Sequence, residues 1–281
     1  MSALIALRVL LSVSASAIQK RLTNRGSPIV GIWTATYALM LPLALIAAYG
    51  SWTLPPDSFW ADSVMGGVLD ALGNLAMISA LRAADLSVYG PLNAVRPILA
   101  MIFGWLFLNE KPTTIGAIGI FITVAGACFV LKEDRAPGSK RSSMLAVLGF
   151  RVLGFALSTV ASVFLKRAAS TVSAEMTLMG WVACGLICLI VYAAVRREPI
   201  IPETNRDWIG IHALTFIVMQ WMTIRIFQVT LLGYAFVFFQ LGMILQVLAG
   251  RFFFREPHFG RRLTGCAVMS VGAALILLYG K

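Results

Sequence analysis

The chain has 281 residues, 59% of them apolar and only 12% charged, against about 45–50% and about 25% in a soluble domain. A soluble surface would need roughly twice that charge, so a soluble globular enzyme is excluded and the bilayer is the implied solvent. The 23 Lys+Arg outnumber the 12 Asp+Glu for a net +11, but they fall mostly between apolar runs, as charges that orient a membrane protein do, rather than forming a nucleic-acid surface.

Read against the roughly 20 residues a crossing helix needs, the apolar runs predict ten helices near 3–19, 29–50, 63–82, 87–108, 113–131, 144–165, 174–195, 208–231, 233–253 and 262–279. The first run ends in Ala15-Ser16-Ala17, which resembles a secretory cleavage site. No Lys or Arg precedes it, Arg8 interrupts it, and a similar segment recurs in mid-chain, so it is read as helix 1. Connections are short, the longest lying around 132–143, and leave no room for an extramembrane domain. Cys128, Cys184, Cys188 and Cys266 all sit in apolar stretches and read as packing residues.

Ionisable groups inside spans are expensive, about 2.5–3.5 kcal/mol each on insertion scales, and demand a partner, water or a function. Arg8 and Arg151 lie early in helices 1 and 6, where snorkelling to the headgroups and a role inside are both open readings. Helix 3 carries Asp70 and Asn74 one turn apart. Asp70 either neutralises Arg96 or Arg225, or accepts a substrate ammonium or a coupling proton. On helix 4, Tyr89, Asn93 and Arg96 stand at i, i+4 and i+7, a stripe expected to face a cavity, with Pro91 and Pro97 beside it to kink the helix. Helix 8 repeats the spacing with Trp221, Arg225 and Gln228. Helix 9 offers Tyr234, Gln240 and Gln246 without a common stripe, within an aromatic run that suits an apolar cavity wall or lipid-facing packing.

At an offset of 146 residues, Ser12, Ala15, Ser16, Lys20 and Arg21 match Ser158, Ala161, Ser162, Lys166 and Arg167, and Gly104, Glu110, Gly119 and Gly126 match Gly250, Glu256, Gly265 and Gly272. A Lys-Arg pair, a Glu and three glycines in one register indicate a duplication. Five spans per half is an odd number, so the halves, 1–135 and 143–281, enter the membrane in opposite senses. The expected fold is all-α integral membrane: ten transmembrane helices as two inverted five-helix repeats.

Leu108-Asn109-Glu110-Lys111-Pro112, between a proline-bearing helix 4 and a glycine-spaced helix 5, is paralleled by Phe254-Arg255-Glu256-Pro257 before helix 10. With these segments the whole chain resembles an EamA-like member of the drug/metabolite transporter superfamily. The resemblance implies a central cavity lined by the first, third and fourth helices of each half, with helices 5 and 10 peripheral. Glycines seven apart on those two helices read as close packing.

Taken together, the expectation is a secondary transporter, exporter or exchanger, working by alternating access on a small anionic or zwitterionic metabolite such as an amino acid or organic acid. A sugar phosphate or nucleotide sugar is the alternative substrate, and a non-transporting scaffold or enzyme subunit the alternative class. Candidate substrate-binding residues are Asp70, Asn74, Tyr89, Asn93, Arg96, Trp221, Arg225, Gln228, Tyr234 and Gln240. No catalytic residue, metal or cofactor is expected, since His212 and His258 stand far apart and no H-E-x-x-H, G-x-S-x-G or phosphate-binding G-x-x-x-x-G-K-[S/T] run occurs. Expected partners are the lipid bilayer, the solute, and protons or a counter-substrate, in a monomer or dimer of a bacterial inner membrane. Fifteen loop Lys and Arg on one face against four on the other place the richer face in the cytoplasm and both termini outside, whereas the resemblance suggests termini inside.

Overall fold

The computed structural model describes residues 2–83, 90–131, 141–200, 205–242, 244–245 and 259–279. Among them no strand occurs, and ten helices follow in order: α1 (Ser2–Asn24), α2 (Ile29–Tyr49), α3 (Asp57–Ala83), α4 (Gly90–Leu108), α5 (Thr114–Leu131), α6 (Arg141–Thr171), α7 (Ala174–Arg196), α8 (Arg206–Val229), α9 (Leu232–Gln240) and α10 (Phe259–Tyr279). The second part of the helix expected over 233–253 falls largely outside the described residues.

Among the described residues, four helical stretches are long and apolar enough to cross a membrane, Ile29–Tyr49, Val152–Thr171, Ala174–Arg196 and Arg206–Val229, with shorter apolar stretches in α1, α4, α5 and α10. Several helices outrun the expected apolar segments because polar turns continue them. α6 has 31 residues, about 46 Å at 1.5 Å per residue, more than the roughly 30 Å of hydrocarbon. Local chemistry sets the breaks. The Ser173 side chain caps α7 by accepting from the Met176 N–H at 3.2 Å, with Glu175 in the first turn where the helix dipole favours a negative charge.

Large apolar side chains stand exposed on the outer faces of α2 (Leu39, Leu43, Ile46) and α7 (Ile187, Val191, Val195), surfaces that suit lipid rather than water. Inside, α3 lies along α6 and α7, α2 against α7, α1 against α8, and α4 against α9. Where α2, α7 and α8 meet, Trp33, Tyr37, Trp181 and Phe216 interlock edge-on or tilted at 5.0–6.4 Å between ring centres. His212 is buried there, its Nδ1 3.0 Å from Thr36 Oγ1 and its ring stacked on Phe216.

α5 and α10 pair almost backbone to backbone. A Cβ on Gly119 would lie 2.8 Å from the Gly272 carbonyl oxygen, and one on Gly126 2.8 Å from that of Gly265. Gly119 and Gly126 correspond to Gly265 and Gly272 at the 146-residue offset, so each glycine meets the counterpart of the other. That reciprocity is the contact pattern of a two-fold axis.

Candidate functional site: a charged cavity between helices

A cavity of about 150 Å³ opens where α1, α3, α4, α6, α8 and α9 converge, with Trp181 of α7 in its wall. It is smaller than the roughly 300–1,000 Å³ typical of drug-sized ligand sites and so suits a small solute. α5 and α10 supply no lining residue among those described, in keeping with the peripheral place the family resemblance implied for them.

α3 directs Asp70 and Asn74 inward from the stretch where Gly73 brings it against α6. The Asp70 carboxylate accepts from Ser158 Oγ at 2.9 Å through Oδ1, and from Asn74 Nδ2 at 3.0 Å and the Tyr37 hydroxyl at 3.5 Å through Oδ2. Ser158 in turn accepts from Arg96 Nη2 at 2.7 Å. Carboxylate and guanidinium therefore meet through one hydroxyl rather than directly, and Arg96 Nε has no hydrogen-bond partner among the described residues. The guanidinium carbon of Arg96 lies 4.5 Å from the Phe236 ring centre. Across the cavity Arg8 donates from Nε to Thr223 Oγ1 at 3.2 Å, and its guanidinium stacks over Phe239 at 3.4 Å. Polar groups thus stand against an aromatic wall, an arrangement with the chemistry to hold one charged group and an apolar body together.

Of the residues singled out in sequence, Asp70, Asn74 and Arg96 meet at this cavity. Tyr89 lies outside the described residues, and Asn93 lies on α4 with its side chain outside them. The α8 stripe faces the junction of α6 and α7 instead of the cavity. Trp221 Nε1 and Arg225 Nη2 both donate to Glu175 Oε1 at 2.8 Å, and Gln228 Nε2 donates to the Ala169 carbonyl at 2.9 Å. The Tyr234 hydroxyl accepts from the Thr113 N–H at 3.1 Å, joining α9 to the start of α5. Gln240 is half-buried at the end of α9 and is not in the lining.

Arg8, Ser158 and Gln220 also line the cavity without having been candidates. A signal existed for Ser158, the repeat counterpart of Ser12 in a matched segment. Beyond the cavity, Glu110 forms a half-buried ion pair with Lys166 and accepts from the Leu232 N–H at 2.7 Å, while Lys166 also donates to the Thr230 carbonyl at 2.5 Å. Glu110 thereby sits at the N-terminus of α9, where the dipole favours a carboxylate.

The model of the EamA-like transporter family matches residues 1–132. A Sinorhizobium protein described as an uncharacterized transporter in the cobO 3' region is 32% identical over 87 residues, which span 30% of this chain and 62% of that relative. The match thus covers less than two thirds of the relative. One solved crystal structure superposes with a TM-score of 0.73 over 99% of this chain and 96% of its own at 18% identity, so the fold recurs there. All-helical among the described residues, with apolar faces turned outward, the protein is an integral membrane protein whose residues 1–132 are similar to the EamA-like transporter family.

Proposed function

We propose that the protein is a secondary transporter, an exporter or exchanger moving a small anionic or zwitterionic metabolite such as an amino acid or organic acid by alternating access. The observation that carries this reading is the cavity itself: Asp70 and Arg96 from the first half and Ser158 from the second meet in one hydrogen-bonded chain within the helix bundle. A site shared between halves is what alternating access requires, because rocking one half against the other then exposes the same groups to either side.

Ten spans in two inverted units, 1–135 and 143–281, are part of the proposal. Support comes from the helix bounds, which stay in register at the 146-residue offset, α2 (Ile29–Tyr49) with α7 (Ala174–Arg196) and α5 (Thr114–Leu131) with α10 (Phe259–Tyr279). The reciprocal glycine contacts of α5 and α10 add to it. With no nucleotide-binding loop in the sequence, coupling falls to protons or a counter-substrate. The loop charges favour a cytoplasmic face at the connections after α1, α3, α5, α7 and α9, in a bacterial inner membrane.

Purified protein in liposomes is the test. Accumulation of a labelled amino or organic acid without nucleotide, abolished by Arg96→Gln while the variant stays folded, is the expected result. Inert liposomes across a broad metabolite panel, with a stoichiometric protein partner co-purifying, would establish the scaffold reading instead.

A further inference from the structure

Resting on that reading of the cavity, we infer that Arg8 is the seat of the solute's negative group, and that the site selects an organic monocarboxylate with an apolar body over the corresponding zwitterion. Three charged side chains line the cavity among the described residues: Arg8, Arg96 and Asp70. Two of them are already matched. Arg96 and Asp70 share the Ser158 hydroxyl at 2.7 and 2.9 Å, with Asn74 and Tyr37 completing the carboxylate's shell. Arg8 stands apart. Its partners among the described residues are one threonine hydroxyl and the face of Phe239, and neither carries a negative charge.

The geometry also suits a carboxylate. Stacking on Phe239 fixes the guanidinium plane, and the Nε–H is spent on Thr223, so the N–H donors on the two Nη atoms remain in a rigid fork of the kind that matches the two oxygens of a carboxylate. One unmatched positive charge calls for a solute of charge minus one. Phe216, Phe227 and Phe236 form an apolar surface beside it for the rest of the molecule. An ammonium has no comparable place, since the only lining carboxylate among the described residues receives three donors already. A zwitterion would therefore bring an unpaired positive group next to two guanidinium ions.

Three probes of one skeleton test this on the full-length protein in nanodiscs: 3-phenylpropionate, phenylalanine and 2-phenylethylamine, read by calorimetry and by thermal shift, since a ligand of the folded state raises apparent stability. The expected order is carboxylate first, phenylalanine at least tenfold weaker, and no binding of the amine. Arg8→Gln should lose the carboxylate at least tenfold while Arg8→Lys retains part of it. Should Arg8→Gln not fold, Asp70→Asn serves: by leaving both arginines unmatched it should tighten carboxylate binding several-fold. Carboxylate binding unchanged in Arg8→Gln, weakened in Asp70→Asn, weaker than phenylalanine's, or absent from the wild type would each overturn the assignment. Phenyl phosphate bound more tightly than the carboxylate would overturn its monocarboxylate half. Transport is read separately in liposomes: carboxylate binding without any solute movement sinks the transporter reading and spares this one, and transport indifferent to Arg8→Gln does the reverse.

Discussion

The seam between α3 and α6 and the seam between α8 and α1 join corresponding helices of the two sequence halves, yet they are packed differently. α3 lies on α6 along much of its length, whereas α8 touches α1 more sparingly. The residues explain why. A Cβ on Gly73 would lie 3.0 Å from the Gly154 carbonyl and 3.1 Å from the Ser158 nitrogen, so this seam is closed backbone to backbone. At the 146-residue offset, Gly66 and Gly73 of α3 correspond to His212 and Met219 of α8, and Gly154 of α6 to Arg8 of α1. Three side chains replace three hydrogens, and the cavity lies between the two seams, lined by Asp70, Asn74 and Ser158 from the tight one and by Arg8, Met219 and Thr223 from the bulkier one. Residue choice at these contact positions thus closes one seam backbone to backbone and lets the other bring Arg8 and Met219 to the cavity between them.

Charges at the helix ends differ in the same way. On α6, Lys166 pairs with Glu110 and Arg167 with Asp62 of α3 at 3.3 Å. On α1, Arg21 instead stacks on Trp208 of α8 at 4.0 Å, Trp208 being the counterpart of Asp62. Glu110→Gln should therefore have the largest effect, about 3–5 kcal/mol of destabilisation, because it leaves the Lys166 ammonium half-buried without its carboxylate. The double variant Glu110→Gln/Lys166→Met should recover most of that loss in thermal unfolding. If it recovers none, the pair is not what holds this end together.

Exchanging contact residues between the seams comes next. Gly73→Met gives α3 the side chain that α8 carries and should destabilise by about 1–3 kcal/mol or more, since the obstructing atoms are backbone and cannot turn aside. Met219→Leu, similar in volume and beside open space, should stay under about 1.5 kcal/mol. Equal losses in the two variants, measured by chemical or thermal unfolding, would mean the seams are not differently packed. Arg21→Gln, which removes the stacking on Trp208 and leaves Trp208 packed against the Leu22, Ile32 and Ile209 cluster, should lose about 0.5–1 kcal/mol.

How much of this could be read in advance depends on the kind of information each feature needs. Helix number and order follow from apolar run length, which is local. The glycine contacts of α5 and α10 were foreseeable because close packing demands small residues at fixed spacing. The cavity was legible only in part. Asp70 and Arg96 advertised themselves as charges deep in apolar runs, but Arg8 sits so near the start of its run that a headgroup was an equally good partner until Thr223 and Phe239 were seen to reach it. Spacing at i, i+4 and i+7 says which residues share a face and nothing about what that face meets, so the stripes on α4 and α8 looked alike. One contributes Arg96 to the cavity, and the other turns to Glu175.

That last contrast gives the smallest predicted effect and separates two arginines that sequence could not tell apart. Arg225 pairs with Glu175 at 2.8 Å, but its side chain is 43% exposed, so solvent screens the pair and it is worth about 0–1 kcal/mol. Glu175 also accepts from Trp221, so it keeps a donor when the arginine is removed. Arg225→Gln should accordingly leave thermal stability within about 1 kcal/mol of wild type. It should also leave liposome uptake near the wild-type rate, because Arg225 is not among the residues that line the cavity. Arg96→Gln, assayed in parallel, removes the donor that ties Ser158 and Asp70 to α4 and should abolish uptake. Loss of uptake in both variants, with folding intact, would move the solute's path out to the α8 stripe and remove the distinction between the two seams as far as transport is concerned.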